Sequence, residues 1–223
     1  MRKVGMVVAV EGEALRQKYG EGYDLNDGRG TRLYQTQKTQ LYAIQCGAGE
    51  IFAASATQYL IDRYEVCMVL NFGIVGACDS LLKVGDTCVV DRVVHYQYDL
   101  SDVDGVPAGR YLEYDRRRIP TSRELADKAV ALVPSLHRVT CASGNKFMGD
   151  PAEKGRLREE FKAHICDMES AAILLTCDQN KVPCLMIKTV SDGVRGGADE
   201  YWDSKAESSR ICLETVGKIV DEL

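Results

Sequence analysis

Val4-Gly5-Met6-Val7-Val8-Ala9-Val10 is an unbroken apolar run, heavy in valine. Alternating apolar and polar residues would mark a strand with one wet face. A continuous β-branched run marks a strand buried on both faces, as at the centre of an α/β sheet. Val66 to Phe72, ending at Asn71-Phe72-Gly73, and Val182 to Val190 read the same way. Between such runs the period changes. Glu13 to Lys18 and Ile51 to Asp62 predict helices. Thr121 to Leu132 predicts another, with Thr121 or Ser122 as N-cap, and Asp150-Pro151 opens a fourth with proline in its first turn. Arg32 to Gln45 holds two alternating segments around Lys38-Thr39, the pattern of a hairpin. Gly85 to His95, Val139 to Ala142 and Ile165 to Met168 add strands, and Ala171 to Gln179 a helix. A closing helix from about Asp203 to Leu223 spaces Ile211, Thr215, Val216, Ile219 and Val220 on one face. Residues 97–120 form the longest irregular stretch. Strands alternating with helices predict a layered α/β fold with helices on both faces of the sheet. No Pro-rich or Gly/Ser-rich linker divides the 223 residues, so one domain over 1–223 is expected.

Composition narrows the partners. A hydrophobic content of 45% is enough for a sizeable core. The net charge of -5 argues against nucleic acid, which needs a basic face. No run approaches the roughly 18 apolar residues of a membrane span, and Val4–Val10 is too short for a signal-peptide core, so a cytoplasmic protein with no membrane partner is expected. The nine cysteines contain no CxxC pair and mostly sit in apolar runs, as small buried hydrophobes in a reducing compartment do. His95, His137 and His164 share no ligand spacing, so no metal and no cofactor is expected.

The chemistry collects where strands end. Cys166-Asp167-Met168-Glu169-Ser170 and Thr189-Val190-Ser191-Asp192-Gly193 each place a carboxylate at such an end, and Glu13 follows the first strand. In layered α/β folds ligands sit beyond the carboxyl ends of the strands. Gly47, Gly73, Asp99, Glu169 and Asp192 all fall near such ends. Acids gathered there without metal ligands or a phosphate loop suit bond cleavage by proton transfer and charge stabilisation.

Seven motifs then occur in order: Ala9-Val10-Glu11-Gly12-Glu13, Cys46-Gly47-Ala48-Gly49, Asn71-Phe72-Gly73-Ile74-Val75-Gly76, Leu82-Lys83-Val84-Gly85-Asp86, Ser143-Gly144-Asn145-Lys146-Phe147, Asp167-Met168-Glu169 and Val190-Ser191-Asp192. Together they resemble the nucleoside phosphorylase/nucleosidase superfamily, and within it the 5′-methylthioadenosine/S-adenosylhomocysteine nucleosidases. The resemblance implies a three-layer α/β fold, with a mixed twisted central sheet and helices on both faces, as a homodimer. It implies a small nucleoside substrate, whose sugar–purine bond water cleaves to release adenine. It assigns Asp192 to protonating the departing purine at N7, Glu169 to the ribose hydroxyls and the cationic sugar, and Glu13 to activating water, with Glu11 a competitor for that register. Each acid also has a plainer reading: Asp192 as a turn or cap, Glu169 as a helix N-terminal glutamate favoured by the macrodipole, Glu13 as a solvated first-turn acid. Phe147 and Met148 would hold the adenine, Met168 would pack on the sugar, and Ser191 would orient Asp192. Val10 and Tyr201 or Trp202 would line the pocket for the 5′ substituent.

Three departures matter. Relatives usually carry a small hydroxyl in the stretch that here reads Gly73-Ile74-Val75-Gly76, where two branched apolar side chains offer an anion no donor. Burying phosphate there costs several kcal/mol, and Glu50 would add repulsion, so a phosphate-using phosphorylase is the second choice. Lys188 stands where relatives have arginine, and Gly193-Val194-Arg195 follows Asp192 in place of a more usual Val-Ala-Asp. A catalytically weak nucleoside-binding protein and a hydrolase for another nucleoside such as futalosine are the other readings that the resemblance allows.

Overall fold

The valine-rich runs become the inner strands of a ten-stranded sheet in the computed structural model, which describes residues 1–223. In chain order the elements are β1 (Arg2–Val8), α1 (Gly12–Tyr19), β2 (Tyr23–Asp24), β3 (Arg32–Gln35), β4 (Thr39–Gln45), α2 (Glu50–Tyr64), β5 (Met68–Ala77), β6 (Thr87–His95), α3 (Ser101–Asp104), β7 (Ile119–Pro120), α4 (Arg123–Leu132), β8 (His137–Ser143), α5 (Pro151–Phe161), β9 (Ile165–Asp167), α6 (Ser170–Gln179), β10 (Cys184–Asp192) and α7 (Ala198–Ile219). Two helix starts follow the sequence signals. Asp150 accepts from the Ala152 N–H at 2.7 Å with Pro151 at the first helical position, and Ser122 accepts from the Leu125 N–H at 3.4 Å.

The sheet is mixed. β1 runs parallel to β4 and β5, β5 parallel to β10, and β8 parallel to β6 and β9; β6–β10, β5–β9, β3–β4, β2–β3 and β6–β7 are antiparallel. Because β10 pairs with both β5 and β6, the path β10-β6-β8-β9-β5 closes on itself.

Period-two alternation explains why the inner strands are apolar throughout. Val4, Met6 and Val8 face one core with Leu70, Phe72 and Ile187, covered by α1, α4 and α7 through Leu15, Ala126 and Val216. Val7, Val69 and Met186 face the other, covered by α2 and α6 through Leu60 and Ile173. Each fully buried side chain of this size contributes roughly 1.5–3 kcal/mol. A smaller cluster around Tyr96, Leu157 and Phe161 seats α5.

One sequence expectation is corrected here. The strand does not end at Asn71-Phe72-Gly73: β5 runs on to Ala77, with Gly73 opposite Lys188 and Gly76 opposite Asp192 on β10 and Cys166 on β9. In-strand glycines commonly mark a close approach by another group. A Cβ on Gly73 would stand 3.1 Å from Glu11 Oε1, and one on Gly76 would stand 3.0 Å from Asp192 Oδ2 and 3.1 Å from Cys166 Sγ. The β5–β10 register slips between Val190 and Asp192, so Ser191 is an extra residue that re-aims Asp192.

Gly76→Ala should therefore destabilise the protein by about 1–3 kcal/mol, read as a lowered urea midpoint at unchanged slope. Gly155→Ala, inside α5 with nothing within 4 Å of the added Cβ, should be neutral or stabilising by up to about 1 kcal/mol in the same assay.

Candidate active site

Beyond the carboxyl ends of β1, β5, β9 and β10 lies a cleft of about 590 Å³, counting its open mouth. A concave site lined by apolar side chains with a few convergent polar groups is where small molecules bind. Its walls include Val10, Phe147, Met148, Met168, Ser191 and Tyr201, with the acids Glu11, Asp167, Glu169 and Asp192. Glu13, Asp99 and Trp202 lie elsewhere. Asp99 is exposed and accepts from the Ser101 N–H at 2.9 Å, and Trp202 is 66% exposed.

Glu13 is the correction that matters most. Its side chain is 66% exposed and bonds Arg16 at 2.8 Å and Gln17 at 3.2 Å; those bonds, Arg16 first, hold its carboxyl below the usual range. Glu11 occupies the cleft instead, only 4% exposed. The two are separated by about 200° around a helix, so they cannot face one site together. Glu11 precedes α1, and its carboxylate accepts from the main-chain N–H of Val10 at 3.0 Å and of Ile74 at 3.1 Å. The apolar Ile74 thus contributes its backbone.

Glu169 stands at the start of α6 yet makes no cap bond to its own helix. It accepts instead from the Gly49 N–H at 2.7 Å, at the N-terminus of α2, where φ of +105° calls for glycine. Burial, then the neighbouring Asp167 carboxylate, push Glu169 from a glutamate's ordinary 4.5 up to about 7 despite Lys188 and the Gly49 N–H. Asp167 goes the other way. Burial alone would raise it, but Lys188 at 2.9 Å and the Ser170 hydroxyl at 2.5 Å hold it below the usual range.

Asp192 is 1% exposed. Its Oδ1 lies 2.9 Å from the Ser191 hydroxyl, which also lies 3.2 Å from the Val75 carbonyl, and its Oδ2 lies 2.5 Å from Lys154 Nζ. Lys154 escapes a reading of the sequence because α5 looks polar around it. Its spacing with Leu157 and Phe161, the other buried residues of that helix, is the signal that finds it. Phe147 stands at the mouth, 42% exposed, its ring edge-on to Tyr201 with centroids 5.4 Å apart, while Met148 is buried. Glu50 lies outside the cleft walls, bonded to His95 at 2.8 Å and Asn145 at 2.8 Å.

A mixed sheet closed through β10, with acids at the strand ends around one cleft, defines a protein built to bind and act on a small polar molecule. Residues 3–223 match the family model of the phosphorylase superfamily, and the chain belongs to that family. It is similar to the 5′-methylthioadenosine/S-adenosylhomocysteine nucleosidase of Tolumonas auensis, 30% identical over 95% of this chain and 96% of that one. It is also similar to the aminodeoxyfutalosine nucleosidase of Campylobacter jejuni, 27% identical over 78% of each chain. The crystal structure of the Helicobacter pylori 5′-methylthioadenosine/S-adenosylhomocysteine nucleosidase with butyl-thio-DADMe-Immucillin-A shares the fold, with a TM-score of 0.92 at 24% identity over 100% of this chain and 99% of that one.

Glu169 also generates a stability test. Its carboxyl holds a proton more tightly folded than unfolded, so its contribution is full below about 4.5 and is lost as pH rises through about 7. The span corresponds to about 3 kcal/mol. Glu169→Gln cannot ionise, so its stability relative to wild type should rise by up to that amount between pH 5 and pH 8.5, measured by urea unfolding at each pH.

Proposed function

We propose that this chain is an N-ribosyl hydrolase that cleaves the glycosidic bond of an adenine nucleoside of the 5′-methylthioadenosine/S-adenosylhomocysteine type, releasing adenine. The observation that carries this is the meeting of Glu11, Glu169 and Asp192 on one cleft, in a family where relatives of similar length are nucleosidases. The purine lies by Phe147, Met148 and Asp192, and the ribose by Met168 and Glu169. As the C1′–N9 bond breaks, its electron pair moves to the purine, and Asp192 gives a proton to N7. Glu169, as carboxylate, binds the ribose hydroxyls and stabilises the cationic sugar. Glu11 takes a proton from water as its oxygen bonds C1′. It replaces Glu13 in that role.

Water, not phosphate, suits this cleft. Lys188 is held by Asp167 at 2.9 Å, Lys154 by Asp192 at 2.5 Å, and Lys146 at the wall by Glu153 at 2.6 Å. The Ile74 N–H is already taken by Glu11. A phosphate would be buried beside Glu11 with no free cation, at a cost of several kcal/mol. No helix is long and apolar enough to cross a membrane, and the net charge of -5 disfavours nucleic acid. We read the chain as one cytoplasmic domain working as a homodimer. Ile51 and Phe52, 79% and 59% exposed on the first turn of α2, support a second copy packing there.

Incubation with a nucleoside panel should give free adenine by chromatography, with the free, 5-substituted ribose rather than its 1-phosphate as co-product and no stimulation by phosphate. Base release from none of the panel would overturn the proposal. Asp192→Asn and Glu11→Gln should each lower kcat by about 10²–10⁴-fold, with Glu13→Gln within about twofold of wild type. Equal losses for Glu11→Gln and Glu13→Gln would defeat the assignment of the base. Since the carboxylate form of Glu169 is needed, kcat/KM should fall on the acid side with a midpoint near about 7.

A further inference from the structure

Lys154 and Asp192 form an ion pair with side chains 0% and 1% exposed. Replacing such a buried pair by apolar groups is often neutral or stabilising, so stability gives no sufficient reason for it. The ammonium has three protons and three acceptors: Asp192 Oδ2 at 2.5 Å, the Gly193 carbonyl at 2.7 Å and the Gly196 carbonyl at 3.1 Å. This set has a property that the other buried pair lacks. If the proton crosses to Asp192, the resulting amine still donates to both carbonyls, and its lone pair accepts from the new carboxyl O–H. No polar atom is stranded in either state. Asp167, by contrast, also accepts from the Ser170 hydroxyl and from the N–H groups of Glu169 and Ser170, donors that favour one fixed anion.

We infer that Lys154 is a positioning residue that stores the proton Asp192 passes to the purine. The inference rests on the nucleosidase reading of the cleft. In the free site the Lys154–Asp192 pair holds this proton as a unit. When the C1′–N9 bond breaks, Asp192 gives this proton to N7, and Lys154 is left as a neutral amine beside the Asp192 carboxylate. The water proton goes to Glu11, which releases it to solvent, and the pair regains its proton from solvent once adenine leaves. Overall one water is consumed, and one hydroxyl and one purine N–H appear. Cys166 of β9 and Glu200 and Tyr201 of α7 also face this pair, with Glu11 and Glu169 across the cleft and Lys146, held by Glu153, at its wall. The Glu200 carboxylate accepts from the Gly193 N–H at 2.7 Å and so fixes the segment whose carbonyls hold Lys154.

The test compares wild type with Lys154→Met and Lys154→Gln, the second keeping donors for the carbonyls without an exchangeable store, across pH 5.5 to 9 on a nucleoside that wild type cleaves. Both variants should lose about 100-fold in kcat at pH 8 with KM little changed. The loss should shrink towards pH 5.5, where Asp192 takes its proton from bulk solvent, so the alkaline limb moves to lower pH. Undiminished activity at pH 8, or one loss at all pH values, would overturn the inference. A second readout needs no turnover: in wild type the Lys154 Nζ and Asp192 Cγ resonances should respond to pH at one shared midpoint. Separate midpoints would also overturn it. If wild type cleaves no nucleoside, the proposed function fails by itself, while the resonances still decide whether the proton is shared.

Discussion

Everything at the cleft depends on how closely β5 and β10 approach the acids beside them. The two strands run parallel with Gly73 opposite Lys188 and Gly76 opposite Asp192. At both points the missing Cβ is the space a carboxylate uses, Glu11 at Gly73 and Asp192 at Gly76. β10 cannot move away to make room. It is hydrogen-bonded to β5 on one side and β6 on the other, and it closes a ring of strands. A side chain at either glycine would therefore press on the site, because packed cores transmit strain more readily than they absorb it.

The second constraint is electrostatic. Four carboxylates line the cleft, and two buried lysines stand behind them. Each lysine answers one acid: Lys188 pairs with Asp167, and Lys154 with Asp192. Glu11 and Glu169 are left to main-chain N–H groups alone. The consequence is clearest two residues apart, at the end of β9 and just before α6, where Asp167 is held low by its lysine and Glu169 rises to about 7. Environments that push neighbouring acids apart are how one site keeps both a fixed anion and a group poised near neutrality. The fixed anion also keeps Lys188 protonated against its own burial, since Asp167 and then Glu169 raise it. Glu169 is thus tuned by the Asp167–Lys188 pair beside it.

Much of this was written plainly in the sequence. Runs such as Val4–Val8 could only be strands covered twice, and Asp150-Pro151 could only open a helix. Four things were hidden, each for a physical reason. Glu11 and Glu13 flank a glycine and have the same chemistry; only the helix phase, fixed by tertiary packing, decides which turns inward. Gly73–Gly76 carries the composition of a turn, and its pairing with β10 is a contact 115 residues away, from Gly73 to Lys188. Lys154 sits in a helix whose composition is that of a wet surface, and its burial follows from one partner 38 residues on. Asp99 and Trp202 are near the right elements but turn to solvent, a matter of direction that proximity in sequence does not encode.

The branched pair Ile74-Val75 shows how a site changes its chemistry without losing its frame. In a strand, successive side chains point to opposite faces. Val75 therefore joins the core against α2 and α6, while Ile74 lines the cleft. Neither side chain can donate, but the strand's own N–H can, and at Ile74 it does, to Glu11. A hydroxyl at that position would be free to turn towards an anion; a main-chain N–H already committed to a carboxylate is not. The substitution removes a donor for a negatively charged reactant, and Glu11 adds a negative charge in the same place. On the proposed function, a neutral water meets neither obstacle and finds an acceptor in Glu11. On the same proposal the branched pair thus disfavours an anionic nucleophile, and the strand that commits the Ile74 N–H is the one against which Glu11 enters the cleft.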